Sequence, residues 1–167
     1  MTREDKIKCI REEIEKNEYP LETFPKRGYA TNCLAYALGI SFKEPEDKSK
    51  EYIFNLGVIS QKAPPRNIKE AEEAFMADMK ELGLFCKKTS YEAMPSKGEQ
   101  KVVLFLDDFF KDDDIHDFHM MRQDENGLWS YQNGINTGEV IVFGGDPQND
   151  VEYGWYALVG YYILTKN

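Results

Sequence analysis

Two residues past the middle of the chain, Asn126-Gly127, do most to restrict what it can fold into. They separate Asp117-Phe-His-Met-Met-Arg-Gln123 from Leu128-Trp-Ser-Tyr131. Asn-Gly between two alternating runs is a strong hairpin signal, because both central residues of the tightest hairpin turn need positive φ. A hairpin here implies antiparallel sheet in the second half of the chain. Alternation then sends Phe118, Met120 and Arg122 to one face and His119, Met121 and Gln123 to the other. His119 is one of only two histidines in the sequence.

The first half reads as helix. Thr2, with Asp5 three residues on, can cap a helix whose Ile7, Ile10 and Ile14 share one face, with Pro20 marking its end. Residues 20 to 31 hold two prolines and a glycine and read as an irregular lead-in. Thr31 or Asn32 can cap a short second helix that runs to Gly39, and Leu34-Ala-Tyr-Ala-Leu38 makes it apolar all round, hence buried. Residues 41 to 66 read as a charged loop, an apolar patch at 52–56 and Pro64-Pro65. Asn67 can cap a third helix carrying Ile68, Ala71, Phe75, Met79 and Leu82 and ending at Gly83.

Strand patterns follow at Leu84–Lys87, at the continuous apolar run Val102–Leu106, in the hairpin, at Glu139–Phe143 and at Trp155–Thr165. Helices first and an antiparallel sheet of about five strands after them predict a single α+β domain over residues 1–167.

Composition narrows the function. A net charge of -9 and a pI near 4.8 argue against binding nucleic-acid phosphates or anionic lipid, and leave a basic protein partner open. The cysteines at 9, 33 and 86 fit no zinc spacing and cannot all pair, so free thiols in a reducing compartment are expected. No apolar signal segment opens the chain and no run approaches the ~20 apolar residues of a membrane span. Cytoplasmic location is the expectation. The acidic stretch 107–117 lacks the ligand alternation and glycine of an EF-hand loop, and His116-x-x-His119 lacks a helix, so no metal or other cofactor is expected.

Cys33 falls in the first turn of the second helix, where unpaired N–H groups and the helix dipole favour thiolate. It is equally a small apolar residue in a buried helix. A histidine on a sheet, offered to such a cysteine, is the nucleophile-and-base arrangement of papain-like enzymes.

Asn32-Cys33-Leu-Ala-Tyr36-Ala37-Leu38, the hairpin Asp117 to Ser130 and the closing Val159-Gly160-Tyr161-Tyr162 resemble a recurrent bacterial and phage family. Its members read roughly Asn-Cys-Tyr-Ala-Tyr-Ala-Leu, then Asp-Tyr-His-x-Tyr-Arg-Gln-Asp-x-x-Gly-x-Trp-Ser-His, then Gly-Tyr-Phe. The matches lie in order over residues 30 to 162. The family is itself similar to papain-like cysteine hydrolases of the NlpC and CHAP types. The resemblance implies a papain-like fold and cleavage of an amide or peptide bond in a peptide, peptidoglycan-like or protein substrate. Cys33 would be nucleophile and His119 general base.

It also implies a third group, on the next strand, that orients the imidazole. Tyr131 stands where the family has His, twelve residues after His119; Gln132 and Asn133 are the substitutes beside it. The Cys33 backbone N–H is the expected oxyanion donor, with Asn32 or Thr31 as the second. Trp129 is a candidate binding residue. A second reading keeps the scaffold without the chemistry: an acidic inhibitor or interaction protein, such as a phage anti-defence protein.

Overall fold

The structure, a computed structural model, describes residues 2–19, 32–40, 54–107, 117–132 and 140–166. Thr31, Asn133, the lead-in 20–31, the loop 41–53 and most of the acidic stretch, 108–116 with His116, lie outside the described residues.

Caps set the helices. Thr2 and Asp5 form a reciprocal capping box at the start of α1 (Arg3–Lys16), which buries Ile7, Ile10 and Ile14. Asn32 caps α2 (Cys33–Ala37), every residue of which is buried. Asn67 caps α3 (Ile68–Glu81), which buries Ala71, Ala74, Phe75, Asp78 and Met79. Gly83, at φ +78, turns the chain out of α3 and into the sheet.

The sheet has six antiparallel strands, β1 (Leu84–Thr89), β2 (Glu99–Leu106), β3 (Phe118–Gln123), β4 (Trp129–Gln132), β5 (Val140–Phe143) and β6 (Ala157–Lys166). This corrects the expectation of about five. Their order is β1-β6-β2-β3-β4-β5, with the C-terminal strand inserted between β1 and β2. β2 begins earlier than its apolar run, because Gln100 and Lys101 are buried and paired with Leu164 and Ile163. β6 begins at Ala157 rather than Trp155, and its register slips opposite Leu104/Phe105 so that Val159 bulges.

The hairpin forms, but not through the turn expected. Gln123 pairs with Trp129, the Asp124 N–H donates to the Leu128 carbonyl at 2.7 Å, and the Gly127 N–H donates to the Asp124 carbonyl at 2.9 Å. That is a three-residue loop, Glu125 to Gly127. Only Gly127, at φ +85, takes positive φ, and Asn126 instead accepts from the Leu128 N–H.

The faces of the sheet differ. Val102, Leu104, Leu106, Met120, Tyr162 and Leu164 pack against the helices. Val103, Phe105, Met121, Trp129, Tyr131 and Tyr161 form a second, largely aromatic cluster on the other side. It is partly covered by Tyr91, Tyr153 and Tyr156. No helix among the described residues is long and apolar enough to cross a membrane.

Candidate active site

The site lies where β3 and β4 part. Among the described residues these strands pair only at Arg122↔Ser130 and Gln123↔Trp129. The start of α2 packs against β3 there, and the Cys33 thiol takes a hydrogen bond from the Met120 backbone N–H. Its backbone partner, Met120, is the residue that follows His119 on β3. The rest of α2 is held by buried polar contacts. Tyr36 Oη and Ser130 Oγ are 2.8 Å apart, and the Arg122 guanidinium lies 4.1 Å from the Tyr36 ring centroid. Arg122 Nε donates to Asp124 at 3.0 Å.

Cys33 is only 7% exposed. Burial pushes its thiol up to about 12, and the Asp117 carboxylate adds to the rise. Hydrogen bonds from the backbone N–H groups of Met120, Leu34 and Cys33 itself oppose it without overcoming it. All three cysteines are free. Cys86 is likewise pushed up to about 12, by burial and then by Glu72.

His119 leaves the opposite face of β3 from Met120 and is 2% exposed. Its ring stacks face to face on Tyr153, with centroids 3.4 Å apart and planes 4° from parallel. Tyr131 meets it edge-on at 4.7 Å and 89°. His119 Nε2 is buried with no hydrogen-bond partner, and burial holds the imidazole down to about 3. At neutral pH the two groups are thus thiol and neutral imidazole.

The third position behaves differently from an orienting acceptor. The Tyr131 hydroxyl donates to Asp150 Oδ2 at 3.3 Å, and burial pushes the phenol well above its ordinary value. Asp150 Oδ1 accepts from the backbone N–H groups of Glu152 and Tyr153 at 2.7 and 3.0 Å. One carboxylate thereby joins β4 to the turn that carries Tyr153. Nearby, the Tyr156 hydroxyl donates to Asp117 at 2.8 Å. Burial raises Tyr153, with further contributions from Glu152, Cys33 and Asp117, so the thiol, the tyrosine and the carboxylate share one electrostatic neighbourhood.

Asn32 is fully used as a cap. Its Oδ1 accepts from the Ala35 N–H at 3.1 Å and its Nδ2 donates to the Phe54 carbonyl at 3.0 Å. Thr31, the other residue expected as a second oxyanion donor, lies outside the described residues. Trp129 is buried in the aromatic cluster, beneath Tyr161 and 5.9 Å from Lys101 Nζ. Gln132 is buried at the end of β4. Among the described residues, no group of three or more His, Cys, Asp or Glu is arranged to hold a metal ion.

Sequence reading missed Asp150 and Tyr153. The available signal was Asp150-Val-Glu-Tyr-Gly154, since Asp followed by Gly marks a turn in which the carboxylate accepts local N–H groups. Nothing in that signal says the turn folds back over His119. No family model, no curated protein and no solved structure matches this chain.

Proposed function

We propose that the chain is a papain-like cysteine hydrolase acting on an amide or peptide bond, with Cys33 and His119 as its working pair. The observation that carries this reading is the docking of the first residue of α2 on the Met120 N–H, one residue from a buried histidine with an unpartnered ring nitrogen. His119 would take the thiol proton as Cys33 Sγ adds to the amide carbonyl carbon. The Cys33 N–H would hold the oxyanion. Collapse expels the amine, protonated by His119, and leaves a thioester that water hydrolyses to free acid and thiol.

The test is alkylation by iodoacetamide. A thiol whose proton can pass to His119 reacts faster than Cys9 and Cys86 despite being the most buried of the three, and His119→Ala removes the advantage. Reaction of Cys33 no faster than the other two sinks the hydrolase.

A second reading has its own support. The Tyr131 hydroxyl is engaged by Asp150, His119 lacks an acceptor, and Asp117 opposes a thiolate. These features suit a scaffold that binds a basic protein without cleaving it. That reading requires Cys33→Ala and His119→Ala to keep full binding of the partner while neutralising Asp112, Asp113 and Asp114 abolishes it.

A further inference from the structure

We propose that Tyr153 is the positioning residue for His119, locked in place by Asp150, and so takes over the task of the missing orienting acceptor. The inference rests on the reading of Cys33 and His119 as a working pair. An imidazole normally owes its orientation to a hydrogen bond on the nitrogen away from the nucleophile. His119 Nε2 has no hydrogen-bond partner, and the hydroxyl of Tyr131, whose ring meets the imidazole edge-on, is given to Asp150. What restrains the ring is contact area. A 3.4 Å parallel stack on one face and an edge contact with Tyr131 leave little rotation about χ2.

The turn that presents Tyr153 is itself rigid. Asp150 accepts the Glu152 and Tyr153 N–H groups through its side chain and the Gly154 N–H through its carbonyl at 2.8 Å. A Cβ on Gly154 would come within 2.3 Å of the Gln148 carbonyl oxygen and 2.4 Å of that of Asp150, so the winding admits only glycine. The Tyr131 hydroxyl closes the brace to the sheet. The stack also has a chemical consequence. The negative face of a phenol favours a cation above it, so Tyr153 stabilises the imidazolium that forms when Cys33 gives up its proton.

The experiment uses the full chain with Tyr153→Phe, Tyr153→Leu and Asp150→Asn. Two quantities are read: the NMR order parameter of the His119 ring C–H bonds, and the pH profile of Cys33 alkylation. Tyr153→Phe keeps the ring and should match wild type in both. Tyr153→Leu should lower the order parameter and slow alkylation about ten- to a hundredfold, the scale set by misplacing a reacting group by about 1 Å. Asp150→Asn should move both the same way by less, and it decides the matter if the leucine variant does not fold. An unchanged order parameter, or equal loss in the Phe and Leu variants, overturns the proposal. If wild-type Cys33 reacts no faster than Cys9 and Cys86, the hydrolase fails, while the order parameter still judges the role of Tyr153.

Discussion

At the scale of a residue, His119 costs the fold stability. A buried ring nitrogen without a partner sacrifices its hydration for nothing, at about 1–3 kcal/mol. Replacing it with Phe keeps the stack on Tyr153 and removes the unmet polar atom, so His119→Phe should stabilise the protein by about 1 kcal/mol at pH 7 in urea unfolding. The pH dependence follows from the direction of its shift. The imidazole titrates near 6.5 when unfolded and at about 3 when folded, so between those values the unfolded chain binds the extra proton. Stability is flat above 6.5 on this account and falls as pH drops below it, by about 1.4 kcal/mol per unit. Between pH 6.5 and 5 the wild type should lose about 2 kcal/mol more than His119→Phe. Identical losses would mean that His119 is hydrated or partnered in solution.

At the scale of the element, α2 is too short to hold itself. Five residues cannot offset the cost of helix nucleation, so tertiary contacts keep Cys33 in place. The most exacting is the ion pair Arg122–Asp124, whose side chains are 1% and 0% exposed. Burial raises the Asp124 carboxyl, while hydrogen bonds from Ser130 and Arg122 and the guanidinium charge pull it back. Asp124→Ala removes the carboxylate that pairs with a buried guanidinium and should cost about 3–5 kcal/mol in chemical unfolding. Tyr36→Phe removes the hydroxyl that bonds Ser130 and Arg122 but leaves the ion pair, and should cost about 1–2 kcal/mol. A smaller loss for Asp124→Ala than for Tyr36→Phe would show that water reaches Arg122. What sequence reading recovered here was local. Thr2, Asn32 and Asn67 announce their helices because a cap bonds to N–H groups two or three residues away. The hairpin was legible for the same reason. Its turn type was not, since Asn-Gly suits a two-residue loop and the register of β3 against β4 selected three. Lys101 was unreadable as an inner residue: its burial depends on the Tyr91 and Ala93 carbonyls, which accept its ammonium from a loop eight to ten residues away. The closure of the 150s turn over His119 is likewise a tertiary event with no periodic signature.

At the scale of the molecule, the decisive quantity is the net charge of -9. Salt has two opposed effects. It weakens the surface ion pairs, such as Lys16–Glu13 and Arg66–Glu70 at 3.0 and 3.6 Å, which contribute about 0–1 kcal/mol each. It also screens the repulsion among the excess carboxylates, which acts against every compact state. The second effect should win. These pairs join residues only three or four apart in sequence and lose little on screening, whereas thirty acidic side chains against twenty-one basic ones repel across the whole surface. The buried Arg122–Asp124 pair is shielded from salt and does not alter the balance. The thermal midpoint should therefore rise as sodium chloride goes from about 10 mM to about 0.5 M, where the Debye length falls from about 30 Å to a few ångströms. The same screening should weaken any complex with a basic partner. A midpoint that falls with salt would mean that ion pairs, not net repulsion, dominate the surface; the acidic excess would then be balanced by close pairing and offer a basic partner little attraction.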